Sequence, residues 1–149
     1  MYPTLLFLHS WLRWAVVVAV LLCAVRSFRG GPFTAGHARL RTIAVATLDT
    51  QVLLGILLYA VGPMTPRSRE AFSAYMKIAP LRFFTIEHGF AMIVALTVLH
   101  VFAVRSRKAG SDEGRHRALA IGATIALVLI LIGIPWPGLP YARPLFRLP

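Results

Sequence analysis

Residues 5–25, LLFLHSWLRWAVVVAVLLCAV, form an apolar run that carries His9 and Arg13 one helical turn apart. A run of this length matches the roughly 20 residues that cross about 30 Å of hydrocarbon as an α-helix. It has no basic stretch before it and no small-residue cleavage site, so it reads as a retained helix and not as a signal peptide. Three further apolar segments come after it, at about 42–62, 83–104 and 118–136. The chain is 149 residues long, 58% hydrophobic and 14% charged, with a mean hydropathy of +0.72. That balance is too apolar for a soluble domain of this size. The expected fold is a single all-α integral membrane domain of four spans. Short connectors between antiparallel spans make it an up-down four-helix bundle.

The charge pattern sets direction. Sixteen Lys and Arg stand against five acidic residues, for a formal net charge of +11. The basic residues lie almost entirely between the apolar runs, where topology and anionic lipid account for them better than nucleic acid does. Connectors 26–41 and 105–117 hold nine of the 16. The positive-inside rule therefore puts both in the cytoplasm and both termini outside, with the bacterial inner membrane as the expected location. Trp11, Trp14, Tyr59, Trp136 and Tyr141 then fall near the outer interface. Within 63–82, Ala71, Phe72, Tyr75 and Ile78 keep helical spacing, as in a short helix lying on the outer surface. Prolines in GIPWPGLP end the fourth span. Ala118, Gly122 and Ala126 make a small-residue ridge for close helix contact, within the bundle or at a homodimer face. Cys23 is the single cysteine, which excludes an intrachain disulfide and a cysteine-rich zinc site.

Ionisable residues in hydrocarbon are costly and mark interior or functional positions. They are His9, Arg13, Asp49, Glu87, His88 and His100. His37 and His116 fall in connectors, where solvated surface roles are expected. His9 and His88 enter parallel spans from the same side at similar depth, the arrangement that two axial imidazoles of one haem require. Arg13, Arg82, Arg143 and Arg147 are candidate partners for the haem propionates. Glu87 either orients the ring of His88 or pairs with Arg13. Helical hydrogen-bonding bridges are the alternative role for both histidines.

His100 lies twelve residues beyond His88, about 18 Å of rise and about 120° of rotation. In the second span Asp49 reaches nearly the same depth. The expectation there is a polar pair, Asp49 with His100 and with Gln51 nearby, suited to a quinone headgroup or a proton. A second haem on His100 needs one further ligand that no other span histidine supplies.

The motifs LHSWLRW, TLDTQVLLGILLY, RFFTIEHGFAMIVALTVLH and GIPWPG together resemble small four-helix bacterial membrane proteins of the b-type cytochrome class. More loosely they are similar to the di-haem family that includes superoxide oxidase. The resemblance implies haem b on His9 and His88, an inner-haem position at His100, and electron transfer between quinone and a redox protein partner. It also implies a place as a subunit of a larger respiratory or photosynthetic complex. Asp49 stands where that family would have a second inner histidine. Two other classes stay open on the residues alone: a haem-free accessory subunit, and a small transporter or proton relay using Asp49, Glu87 and His100.

Overall fold

The computed structural model describes residues 1–146, so Arg147 lies outside the described residues. The described residues are helical or irregular, with no strand among them. Helix α1 spans Tyr2–Arg29 and α2 spans Ala35–Val61. Helix α3 is the short Arg69–Met76, α4 covers Ala79–Lys108 with a π-helical turn at Phe83–Glu87, and α5 covers Asp112–Gly133. Four of them, α1, α2, α4 and α5, are long and apolar enough to cross a membrane.

α1 and α4 run past both ends of their apolar stretches and α2 and α5 begin before theirs, whereas α5 stops at Gly133, short of the prolines. α1 continues through Arg26 and Arg29, whose charges favour the C-terminal end of the helix dipole. It stops at Gly30, where φ is +65° and a side chain would be strained. Ser111 caps α5 by accepting from Gly114 N at 3.1 Å, and Ser68 caps α3 by accepting from Ala71 N at 3.1 Å. Helix α3 therefore forms within 63–82, where the spacing of Ala71, Phe72 and Tyr75 places it, and it ends before Ile78. None of its residues is buried.

The spans close into a ring in which α1 packs on α2, α2 on α4, α4 on α5 and α5 back on α1. The α4–α5 contact is the most extensive and α2–α4 the thinnest. The small-residue ridge explains the tight side. A Cβ built on Gly122 would sit 2.2 Å from Phe102 Cβ, so the ridge serves α4–α5 packing inside one chain. α1 and α4 stand diagonally across the ring, as do α2 and α5.

The interior is uneven along its length. Val16, Val20, Ala44, Leu48, Leu99, Leu119 and Ala123 fill the half nearer the Gly30–Thr34 and Ala109–Ser111 turns. The other half, toward the termini, is a cavity. Outward-facing Val18, Leu22, Leu53, Val101, Ile125 and Ile132 leave an apolar belt around the bundle, which suits a lipid bilayer and a multi-pass membrane protein.

Candidate functional site

The cavity has a volume of about 560 Å³ and opens between the helices near the terminal end of the bundle. That is within the usual range for pockets that hold small molecules and cofactors. His9 from α1 and His88 from α4 line it from diagonal helices, with ring centres 6.2 Å apart and planes inclined by 72°. Equal depth on parallel helices, which the sequence offers, becomes opposition across the interior once the ring order of helices is known.

Each imidazole has a distinct setting. His88 Nδ1 lies 2.8 Å from Gly133 O. A carbonyl oxygen only accepts, so Nδ1 carries the proton and Nε2 keeps its lone pair. A Cβ at residue 133 would come within 2.5 Å of Met92 Cε, the movable end of that side chain, and would meet His88 Nδ1 at an ordinary 3.6 Å. His9 Nδ1 is buried and has no hydrogen-bond partner among the described residues. Opposite it stands Gly55, whose Cβ would lie 3.4 Å from His9 Cε1. Gln51 Nε2 donates to His9 O at 3.0 Å, while its Oε1 is buried without a partner. Thr85 Oγ1, also lining the cavity, is in the same condition.

The π-helical turn at Phe83–Glu87 sits directly before His88. An inserted residue of this kind rotates the helix on its N-terminal side relative to the helix on its C-terminal side. It aims Thr85 inward and leaves Glu87 on the outer side, where Glu87 Oε1 accepts from Arg82 Nε at 2.7 Å. Both members of that pair are about half exposed and neither lines the cavity. The expectation that Glu87 orients His88 or pairs with Arg13 is thus replaced by an Arg82–Glu87 pair, and Arg82 is not at the cavity. A relay through Glu87 loses its outer member for the same reason.

Arg13 and Arg143 do line the cavity. Arg13 donates to Leu145 O, and Arg143 lies over the Phe84 ring at 5.1 Å. Both contacts involve the C-terminal segment, which folds back over this end of the bundle. Trp14 Nε1 donates to Leu145 O at 3.2 Å, Phe146 stacks on Trp14 at 5.5 Å, and Tyr141 stacks on Phe83 at 3.7 Å. No signal in the sequence marks this cover, because its aromatic residues are equally expected at a membrane interface.

Asp49 and His100 form the expected pair in part. His100 Nε2 and Asp49 Oδ1 are 2.7 Å apart. Their side chains are 47% and 45% exposed, so the pair faces outward from the α2–α4 seam and away from the core. The adjacent Leu48 and Leu99 occupy the interior positions, and a step of about 100° around each helix turns the polar neighbours out. Gln51 is not near them. Two residues beyond Asp49 is about 200° of rotation, which carries Gln51 to His9.

At the opposite end of the bundle His116 is buried, with Nε2 3.1 Å from Gly31 O and its ring 4.8 Å from that of His37. The expectation of a solvated His116 is corrected accordingly. Its helix begins at Asp112, earlier than the apolar run suggests, so the residue belongs to a packed helix face. Among the described residues no group of three or more His, Cys, Asp or Glu side chains converges as metal ligands do. Comparison with protein-family models, with curated proteins and with solved structures found no match to this chain.

Proposed function

We propose that the protein is a small membrane b-type cytochrome, with one haem b held between His9 and His88, working at the quinone pool. The observation that carries this reading is the pair of imidazoles facing one another over the cavity, 6.2 Å between ring centres. A metal–imidazole bond is about 2 Å and the ring centre lies roughly 1 Å behind its nitrogen, so two axial imidazoles on one metal have centres about 6 Å apart. A haem iron brings four nitrogens of its own, and two histidines complete it. The small-residue positions Gly55 and Gly133, the buried polar atoms of His9, Gln51 and Thr85, and the resemblance to four-helix cytochromes all support the same choice.

When bound, the haem supplies one-electron chemistry. The chain's residues do the rest. Gly133 O fixes the tautomer and direction of His88 and raises the basicity of Nε2. Gln51 ties the backbone of His9 to α2. Arg13 and Arg143 offer guanidinium groups to the propionates, and the apolar wall keeps water out. The Asp49–His100 pair is the quinone candidate. It lies at the lipid-facing seam, where a headgroup diffusing in the bilayer can reach it. Asp49 holds one ring nitrogen of His100, leaving the other to donate to or accept from a quinone oxygen. In this reading the membrane is the bacterial inner membrane, and a redox protein or a larger respiratory or photosynthetic complex exchanges electrons at the haem.

The test is an oxidised and dithionite-reduced spectrum of the detergent-purified protein, with pyridine haemochrome quantification. The expected outcome is a low-spin b-type spectrum at about one haem per chain, lost in His9→Ala and in His88→Ala and retained in His100→Ala. A spectrum unchanged in both of the first two variants rejects the axial assignment, and a stoichiometry near two assigns iron to His100 as well.

A further inference from the structure

The end of the bundle opposite the haem cavity carries a second recess, of about 290 Å³, between the start of α2 and the last turn of α4. Arg41, Arg107 and Arg115 line it, together with Thr34 and Ser106. Three observations about these residues point to a ligand and to its charge.

The first is an imbalance. Asp112 contacts two residues of the recess, and both of its oxygens are engaged: Oδ2 accepts from Phe33 N at 3.0 Å and Oδ1 lies 3.5 Å from Arg115 Nη1. Arg41 and Arg107 make no ion pair among the described residues. Arg41 is half-buried, and a guanidinium does not shed its proton to escape burial. A negative partner is what the arrangement needs.

The second is a buried hydroxyl. Ser106 is fully buried, lines the recess, and its Oγ has no hydrogen-bond partner among the described residues. A serine in a long helix ordinarily returns its hydroxyl to the carbonyl four residues back, as Ser10 does to Leu6 O at 2.7 Å. Ser106 makes no such bond. A buried donor left unpaired is costly unless a ligand accepts from it.

The third is the helix start itself. Thr34 caps the 27-residue helix α2, and the Ala35 and Gly36 N–H groups have no acceptor upstream in their own helix. They lie at the positive end of the helix dipole, where anions bind.

We propose that this recess binds a phosphate group, held by Arg41, Arg107 and Arg115, by the Ser106 hydroxyl and by the first turn of α2, and that the phosphate is carried by an anionic lipid headgroup. The position fits a lipid. The recess lies beyond the ends of two apolar spans, level with the connectors, and basic pockets between transmembrane helices take such headgroups. A free phosphate ion shares the recognition chemistry and is the alternative source. The proposal does not depend on the haem, which would occupy the far half of the bundle.

Native mass spectrometry of the full chain in a neutral detergent, with phosphatidylglycerol and phosphatidylcholine added in equal amounts, tests it. The wild type is expected to retain a single phosphatidylglycerol per chain in preference to phosphatidylcholine. Arg107→Gln, at an exposed position, should weaken retention about fivefold, and Ser106→Ala by a comparable factor. Arg67→Gln, near the other end of the bundle, should leave it unchanged. A parallel titration with inorganic phosphate, against chloride at matched ionic strength, separates the sources. Displacement of the lipid assigns the site to phosphate in general, and no displacement assigns it to the lipid headgroup. Equal retention of the two lipids, or Arg107→Gln and Ser106→Ala behaving like Arg67→Gln, overturns the proposal.

Discussion

Asp49 and Gln51 are two positions apart on α2, and they serve opposite faces of the bundle. Depth along a helix comes from counting residues, which is why the Asp49–His100 pair was legible in the sequence. Rotation about the helix matters only relative to neighbours, and one chain read alone does not give the order of helices around the ring. Gln51 was misplaced for that reason, and Glu87 because the π turn before His88 alters the rotation without changing the count. The corrected position of Gln51 has an electrostatic consequence. Its Oε1 is buried at the cavity without a partner, and a carbonyl dipole there favours the more positive, ferric state of a haem. Gln51→Leu should therefore raise the midpoint potential, and Arg13→Leu should lower it by removing a positive charge, each by the order of tens of millivolts. Potentiometric titration of the two variants reads both signs. Shifts in the same direction would contradict the placement of one of these residues at the cavity.

Among the helices, α4 and α5 carry the tightest and most specific contact. Apolar composition made all four spans legible, since nothing else in a chain of this length explains four such runs. Their true ends, the π turn and the fold-back of residues 135–146 were not, because each depends on packing partners far away in sequence. The Ala118–Gly122–Ala126 ridge was legible as a contact face without its partner being identified. Its partner is Phe102. Gly122→Val would force a side chain into space that Phe102 Cβ and Cγ already fill, at 2.2 and 2.7 Å. The expected cost is about 1–3 kcal/mol from overpacking. Thermal unfolding in detergent should show a lowered midpoint, while size-exclusion chromatography with light scattering should show an unchanged oligomeric state. If the ridge were a homodimer face, the two measurements would respond in the reverse sense.

At the scale of the whole molecule, function and orientation are joined, because the bundle has two unlike ends. The terminal end holds the cavity, His9, His88 and the tail, and the other holds the arginine-lined recess. The 26–41 and 105–117 connectors carry nine basic residues against six for residues 63–82 and the tail. With short loops this bias directs the more basic end to the cytoplasm. The His9–His88 cavity is then predicted to face the outer side and the arginine-lined recess the inner leaflet, where anionic headgroups attract basic surface. Single cysteines can decide this in a Cys23→Ala background, which removes the one native thiol. Gly110 is exposed in the α4–α5 turn with open space around its Cα, and Ser73 is exposed on α3. In intact cells a membrane-impermeant maleimide should modify Ser73→Cys and spare Gly110→Cys, with both reacting after the membrane is opened. The reverse pattern would turn the molecule over. It would put the His9–His88 cavity on the cytoplasmic side, and the electron partner of the proposed cytochrome would then have to be sought there.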